Sequence, residues 1–298
     1  MEQPSLKTIG SVTTQVRSDY SAQVSLFSLP VPVLKAEAIL QHFDFIEPIG
    51  KGSFGTVLKA RRLSDNEIVA VKVLPKGSLA VREVATLARL DHQNVVRLLQ
   101  VYIGDDVLFL VQEYCELNFA DVTRCLREDQ MLEVTVQVIT ALDYIHSKGV
   151  VHRDIKPDNI MFTRTHDGRL TLKIIDFGLA APEDGPEPLR APAGTNYYLA
   201  PEVITNDYNR KADLWSVGML LLVMVNKEVP FRSTSQRQVF QEILAFDAES
   251  VKFSSSTPVW LSTLARKLLE PDYNQRPDAR EILDSGLTQV LHICNKSS

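Results

Sequence analysis

The sequence predicts an α+β fold in two lobes, and three observations carry that expectation. Residues 43–114 are dense in short, apolar, β-branched runs separated by turn residues. Beyond them, apolar residues recur at three-to-four spacing, the period of an amphipathic helix. The composition supplies core for both halves: of 298 residues, 45% are hydrophobic and 23% charged. A β-rich segment followed by an α-rich one is the pattern of an α+β chain.

Taken in order, residues 1–28 hold 12 Ser, Thr or Gln side chains and two aromatics, Tyr20 and Phe27, without a sustained period. They predict a disordered tail, counted through residue 41. Pro30 and Pro32 break the chain before a short helical stretch at 33–40. Strands are expected at 43–49, 56–60 and 68–74, then a helix capped by Ser78 with Val81, Val84, Leu87 and Leu90 on one face. A hairpin of 95–103 and 107–114 turns at Gly104-Asp105-Asp106. That makes a small lobe, 42–114, of five antiparallel strands and one helix. The large lobe, 115–287, is mostly helical, with helices at 120–128, 133–147, 211–225, 235–245, 258–269 and 279–285. A short tail, 288–298, closes the chain.

Charge and hydropathy exclude several classes. The balance of 32 basic and 37 acidic side chains gives −5, against the clustered Lys and Arg that nucleic-acid binding needs. The longest apolar run, 217–225, is nine residues including one glycine, whereas a membrane span takes about 20. Cys115, Cys125 and Cys294 lack metal-ligand spacing, and no apolar leader follows a charged start. A cytoplasmic or nuclear protein is the expectation.

Four segments carry chemistry. Ile49-Gly50-Lys51-Gly52-Ser53-Phe54-Gly55-Thr56-Val57 places G-x-G-x-x-G between two strands, where glycines let backbone N–H groups approach phosphates. A dinucleotide fingerprint would open a helix, but here the chain continues as strand, and G-x-x-x-x-G-K-[ST] is not matched. Val69-Ala70-Val71-Lys72 sets one lysine in an apolar strand. A strand-end lysine reaching solvent is the ordinary case. Alternation instead puts Lys72 on the face of Ala70, where its ammonium needs a partner, and Glu83 on the next helix is the candidate. His152-Arg153-Asp154-Ile155-Lys156-Pro157-Asp158-Asn159 packs six polar residues into eight positions between apolar flanks. Asp176-Phe177-Gly178 follows a further apolar run, and the oxygens of Asn159 and Asp176 suit Mg²⁺ bridging phosphates.

With Ala200-Pro201-Glu202, these segments stand in the order of the protein-kinase signature set, a template that general catalytic principles already describe. The chain resembles eukaryotic protein kinases of the serine/threonine group over 43–287. The resemblance implies the bilobal kinase fold and transfer of the γ-phosphoryl of ATP to Ser/Thr hydroxyls of a protein substrate. It implies Asp154 as the base that orients the attacking hydroxyl, with Asn159 and Asp176 on Mg²⁺. Lys72, paired with Glu83, contacts the α- and β-phosphates, and Ile49 to Val57 cover them. Gln112 lies at the back of the nucleotide pocket, the backbone of Glu113 and Cys115 bonds adenine, and Val57, Ala70 and Met161 sandwich its ring. Lys156 and Thr195 mark Ser/Thr specificity. Asp213 braces the catalytic loop, and Glu202 with Arg276 forms a structural pair.

The sequence departs from the pattern in two places. No Ser, Thr or Tyr lies between Phe177 and Gly194, so the phosphate that would pair with Arg153 has no acceptor there. Glu183, Asp184 or Glu187 is expected to supply the negative charge, four prolines to stiffen the loop, and the enzyme to be constitutively active. Lys72 and Glu83 are only 11 residues apart, which shortens the helix before the glutamate. That favours a helix packed permanently inward, or one held by a partner. Leu199 argues against proline-directed substrates, and Asp158 and Glu116 are candidates for a basic substrate residue. The regulatory partner is unspecified. The second reading is a pseudokinase acting as an ATP-binding scaffold, which the intact Lys72, Asp154 and Asp176 disfavour. A small-molecule kinase is a third, disfavoured by Ala200-Pro201-Glu202 and the Thr195 loop.

Overall fold

A computed structural model describes residues 29–52, 55–165, 167–183, 197–205 and 209–287, with the backbone alone described at Lys51 and Gly52. Residues 1–28 of the expected N-terminal tail, the C-terminal tail 288–298, Ser53, Phe54, Asp184, Glu187 and Thr195 lie outside the described residues. The chain divides into two compact units: residues through Glu116 with Phe177–Leu179, and Leu117–Asp176 with the residues from Ala180 onward. The first therefore runs two residues past the expected boundary at 114. The reason is that regular pairing in the second unit begins only at Leu117, which pairs with Phe162.

The first unit is a six-stranded sheet. Its strands are β1 (Val33–Lys35), β2 (Phe43–Gly52), β3 (Gly55–Arg62), β4 (Ile68–Pro75), β5 (Leu98–Ile103) and β6 (Val107–Glu113), in the order β1-β5-β6-β4-β3-β2. Five strands are antiparallel, as the sequence pattern predicts. The sixth corrects it: residues 33–35, expected as helical tail, pair in parallel with 101–103. Pro32 holds the chain extended and its carbonyl accepts the Val101 N–H at 2.9 Å. A 3-10 turn (Ala36–Ala38) and helix α1 (Ile39–His42) follow. Ala36 and Ile39 enter one core with Phe43, Val69, Val71, Tyr102 and Phe109, so residues 33–41 are part of the domain. Tyr102 is fully buried with His42 Nδ1 2.6 Å from its hydroxyl, and burial pushes its pKa up to about 12. Helix α2 (Ser78–Leu87) is entered from Gly77, with no side-chain cap. The expected cap, Ser78, is instead its first residue. Its buried positions, Ala80, Glu83, Val84 and Leu87, form one i, i+3, i+4, i+7 stripe that contains a carboxylate.

The second unit begins with β7 (Leu117–Asn118) and α3 (Phe119–Thr123), capped by the Asn118 side chain on the Asp121 N–H at 2.8 Å. This helix stops short of the expected residue 128, because Lys227 Nζ takes the Thr123 carbonyl at 2.6 Å. Helix α4 (Glu128–Ser147) is the long core helix, followed by β8 (Val150–Val151), β9 (Ile160–Arg164), β10 (Leu170–Ile174) and β11 (Ala181–Pro182). Strands β10, β9 and β7 form one small sheet, and β11 and β8 another. Among the described residues five α-helices complete the unit: α5 (Pro201–Ile204), α6 (Lys211–Asn226), α7 (Gln236–Leu244), α8 (Val259–Leu268) and α9 (Ala279–Ile282), the last running on into a π-helical turn, Leu283–Leu287. Helix α6 is buried nearly all round. A Cβ at its Gly218 would stand 2.8 Å from Leu269 Cγ, so glycine permits the close approach of the following segment. Among the described residues no helix is long and apolar enough to cross a membrane.

Candidate active site

In the first unit, β4 presents Lys72 opposite Val57 of β3 and Leu110 of β6. Its Nζ lies 2.6 Å from Glu83 Oε1, with only 6% of Lys72 and 1% of Glu83 exposed. The short spacing is accommodated by starting α2 at Ser78, so that Glu83 falls in the second turn, facing inward. Two charges in such a place cost desolvation that their attraction barely offsets.

The glycine-rich turn divides by what each glycine is for. A Cβ on Gly55 would lie 2.0 Å from the Val73 carbonyl oxygen, so the sheet itself requires glycine. A Cβ on Gly50 would meet nothing closer than Val57 Cβ at 3.7 Å, ordinary contact distance. Among the described residues nothing in the fold demands glycine at 50. Lys51 and Gly52 pair with Thr56 and Gly55 along the same hairpin, and Ile49 stands exposed on it. Ala70 and Gln112 are direct neighbours across β4 and β6. Gln112 is buried, and its Nε2 has no hydrogen-bond partner among the described residues. The Glu113 N–H is committed to the Arg97 carbonyl at 3.1 Å, and Cys115 is buried in the irregular stretch after β6.

In the second unit, the segment from His152 to Asn159 is held by its backbone. Asp213, on the first turn of α6, accepts the His152 N–H at 2.9 Å and the Arg153 N–H at 2.8 Å. It also accepts His146 Nε2 at 2.9 Å. Burial works to raise the Asp213 carboxyl. The His146 hydrogen bond, the charges of His146 and His152 and the His152 amide outweigh it, leaving the group below the usual carboxylate range. Arg153 adopts φ 70°, a left-handed conformation that a non-glycine residue keeps only when its surroundings impose it. The two amide bonds to Asp213 are that constraint.

This loop presents Asp154, 8% exposed. Lys156 Nζ approaches its two carboxylate oxygens at 2.8 and 3.0 Å, and Asn159 Nδ2 donates to Oδ2 and to the Asp154 carbonyl, both at 2.8 Å. The Asn159 carbonyl accepts the Ile175 N–H at 2.9 Å, which ties the loop to the residue before Asp176. Asp176 itself sits at φ 60°. Asn159 thus spends its amide nitrogen on Asp154 and keeps its side-chain oxygen for another ligand. That oxygen and the Asp176 carboxylate are hard oxygens, the donor type Mg²⁺ takes.

The structure therefore brings together Lys72 with Glu83, and Asp154 with Lys156 and Asn159. Met161, on β9, belongs to a different unit from Val57 and Ala70. Glu202 and Arg276 pair as expected: both are buried, with Nη2–Oε2 at 3.1 Å, and the guanidinium also lies 5.2 Å from the Trp215 ring. Of the three acids expected to stand in for a phosphate, the one described, Glu183, pairs with Arg210 at 3.6 Å. The reason is placement: the Glu183 N–H bonds the Gly149 carbonyl at 2.9 Å, ahead of β8. Sequence reasoning missed His146, which ends α4 as one more apolar-stripe position and has no motif around it. It also missed Arg210.

Residues 43–287 match the protein kinase domain family, and the chain belongs to that family. It is 33% identical over 272 residues to CBL-interacting serine/threonine-protein kinase 15 of Arabidopsis thaliana, covering 85% of this chain and 62% of that protein. It is 36% identical over 247 residues to serine/threonine-protein kinase pak-2 of Caenorhabditis elegans, covering 79% and 46%. Against calcium-dependent protein kinase 5 of Plasmodium berghei it is 29% identical over 270 residues, covering 83% and 47%. The chain spans about half the length of such relatives.

Proposed function

We propose that this chain is a serine/threonine protein kinase that transfers the γ-phosphoryl group of ATP to Ser/Thr hydroxyls of protein substrates. The observation that carries the reading is the buried Asp154 carboxylate bracketed by Lys156 and Asn159. Phosphoryl transfer asks for positioning and charge compensation more than for a strong base. Asp154 orients the substrate hydroxyl and takes its proton, while Lys156 offsets the charge that develops beside it. Lys72, held by Glu83, receives the α- and β-phosphates, and the hairpin from Ile49 to Val57 covers them. Backbone groups of Glu113 and Cys115 meet adenine in this reading, the Glu113 amide itself being bonded to the Arg97 carbonyl. Asn159 and Asp176 would hold Mg²⁺, which when bound neutralises phosphate charge.

Activity in this reading needs no phosphate between Phe177 and Gly194, since no hydroxyl is there to carry one. The compartment that suits it is the cytosol or nucleus, where Cys115 and Cys125 remain thiols. The test is a Ser/Thr/Tyr peptide library with ATP and Mg²⁺, beside an Asp154→Ala control. Transfer to Ser/Thr peptides that disappears in the control supports the proposal. ATP binding without transfer would instead favour an ATP-binding scaffold.

A further inference from the structure

The catalytic loop is enclosed by a ring of contacts whose last link is a side chain no kinase motif includes. We infer that Arg210 is a positioning residue that closes this ring with carboxylates and so holds the loop without phosphorylation. The inference rests on the kinase reading above.

The ring runs as follows. Strand β8 leads directly into His152, and it pairs with β11 through Ala181 to Val151 and Pro182 to Val150. The Glu183 N–H extends that pairing by one bond, to the Gly149 carbonyl at 2.9 Å. Glu183 Oε2 then meets Arg210 Nη1 at 3.6 Å, and Arg210 Nη2 meets Asp278 Oδ2 at 3.4 Å. Arg210 is the N-cap residue of α6, and its carbonyl accepts the Asp213 N–H at 3.1 Å. Asp213 returns to the loop by accepting the amides of His152 and Arg153. The strand that enters the loop and the carboxylate that braces it are thus joined through one guanidinium.

Asp278 is a fixed anchor for that guanidinium. It caps α9 by accepting the Glu281 N–H at 2.9 Å, and its own N–H bonds Glu281 Oε2 at 2.7 Å. Arg210 is therefore pulled between one carboxylate on the strand side and one on a helix start. The three side chains are 22–39% exposed, so each pair is of ordinary strength and open to screening by salt. What makes the Glu183–Arg210 pair matter is that one side reaches β8 through the Glu183 N–H and the other reaches the brace through the Arg210 carbonyl.

The experiment uses the full chain, shown by mass spectrometry to be unphosphorylated. The variants are Arg210→Gln, Glu183→Gln, Asp278→Asn and Arg210→Gln/Glu183→Gln. Asp278→Asn keeps a residue that caps helices well. Arg210→Gln is expected to lower kcat roughly fivefold, the ratio an ion pair of ordinary strength corresponds to, with the KM for ATP unchanged. Hydrogen exchange at the His152, Arg153 and Glu183 amides should quicken by a similar factor, and the double variant should be no worse than Arg210→Gln. Salt should lower the kcat of the wild type and leave that of Arg210→Gln flat. Unchanged exchange at those amides, or additive effects in the double variant, overturns the ring. If the wild type transfers no phosphate, the kinase reading fails, and the exchange measurement still decides the ring.

Discussion

The two units hold their polar groups by different physics. In the first, Lys72 and Glu83 are side chains clamped by packing, one on a sheet face and one within an apolar helix stripe. In the second, Asp154 stands on a loop fixed by amides bonded to a carboxylate 60 residues away, with one residue forced to positive φ. In a packed ion pair, removing one charge leaves the other buried without its counter-charge. A hydrogen-bonded loop loses alignment gradually as its bonds are removed. The difference predicts that mutations in the first unit report on stability as much as on activity, and those in the second chiefly on turnover.

The largest effect should come from Asp154→Asn, which keeps shape and removes the proton acceptor. Turnover should fall by roughly 10²- to 10⁴-fold, with the thermal midpoint little changed, as read by phosphate transfer and calorimetry on the same sample. Lys72→Met tests the other side of the comparison. It should cost about 10²-fold or more in transfer and about 3 kcal/mol in stability, because the buried Glu83 carboxylate loses its ammonium. Adding Glu83→Leu should recover most of that stability and none of the activity. If the double variant were as unstable as the single one, packing would not be what holds the pair.

The glycine-rich hairpin offers a smaller contrast within one motif. Gly55→Ala collides with a backbone carbonyl and should cost about 2–3 kcal/mol in denaturant unfolding. Gly50→Ala should cost about 0.5 kcal/mol or less, yet raise the KM for ATP. Equal stability losses at the two positions would remove the case for a ligand cradle at Gly50.

The smallest effect is a pH dependence. Tyr102 is raised from 10.0 to about 12 by burial, so the fold favours its neutral form. Its contribution to stability is complete below pH 10.0 and is lost as pH climbs through about 12. Tyr102→Phe should flatten the alkaline fall in thermal midpoint. What remains includes Tyr198, which burial and then the charge of Asp158 also raise to about 12.

What could be read from the sequence follows the same divide. Alternation in β4 and the helical stripe of α2 point to Lys72 and Glu83 directly, since both signals are local. The resemblance supplied Asp154, Asn159 and Asp176, but no local pattern specifies how the loop is held. Asp213, His146 and Arg210 act over separations of 27 to 68 residues, beyond any periodicity. Strand β1 was hidden for a related reason: Val33-Leu34-Lys35 is too short to show a period, and its extended state is fixed by Pro32 and by the edge of β5. Glu183 is the clearest case, since the arginine it meets among the described residues is Arg210. Its sequence neighbours name the acid but not the arginine.

The central claim is that a buried carboxylate on a rigid loop turns over Ser/Thr substrate in the unphosphorylated chain. The direct measurement is kcat for phosphate transfer from ATP to a Ser/Thr peptide, wild type against Asp154→Asn, with ATP affinity recorded for both. The account predicts equal ATP affinity and a fall in kcat of roughly 10²-fold or more. Transfer at the same rate in both proteins would contradict it.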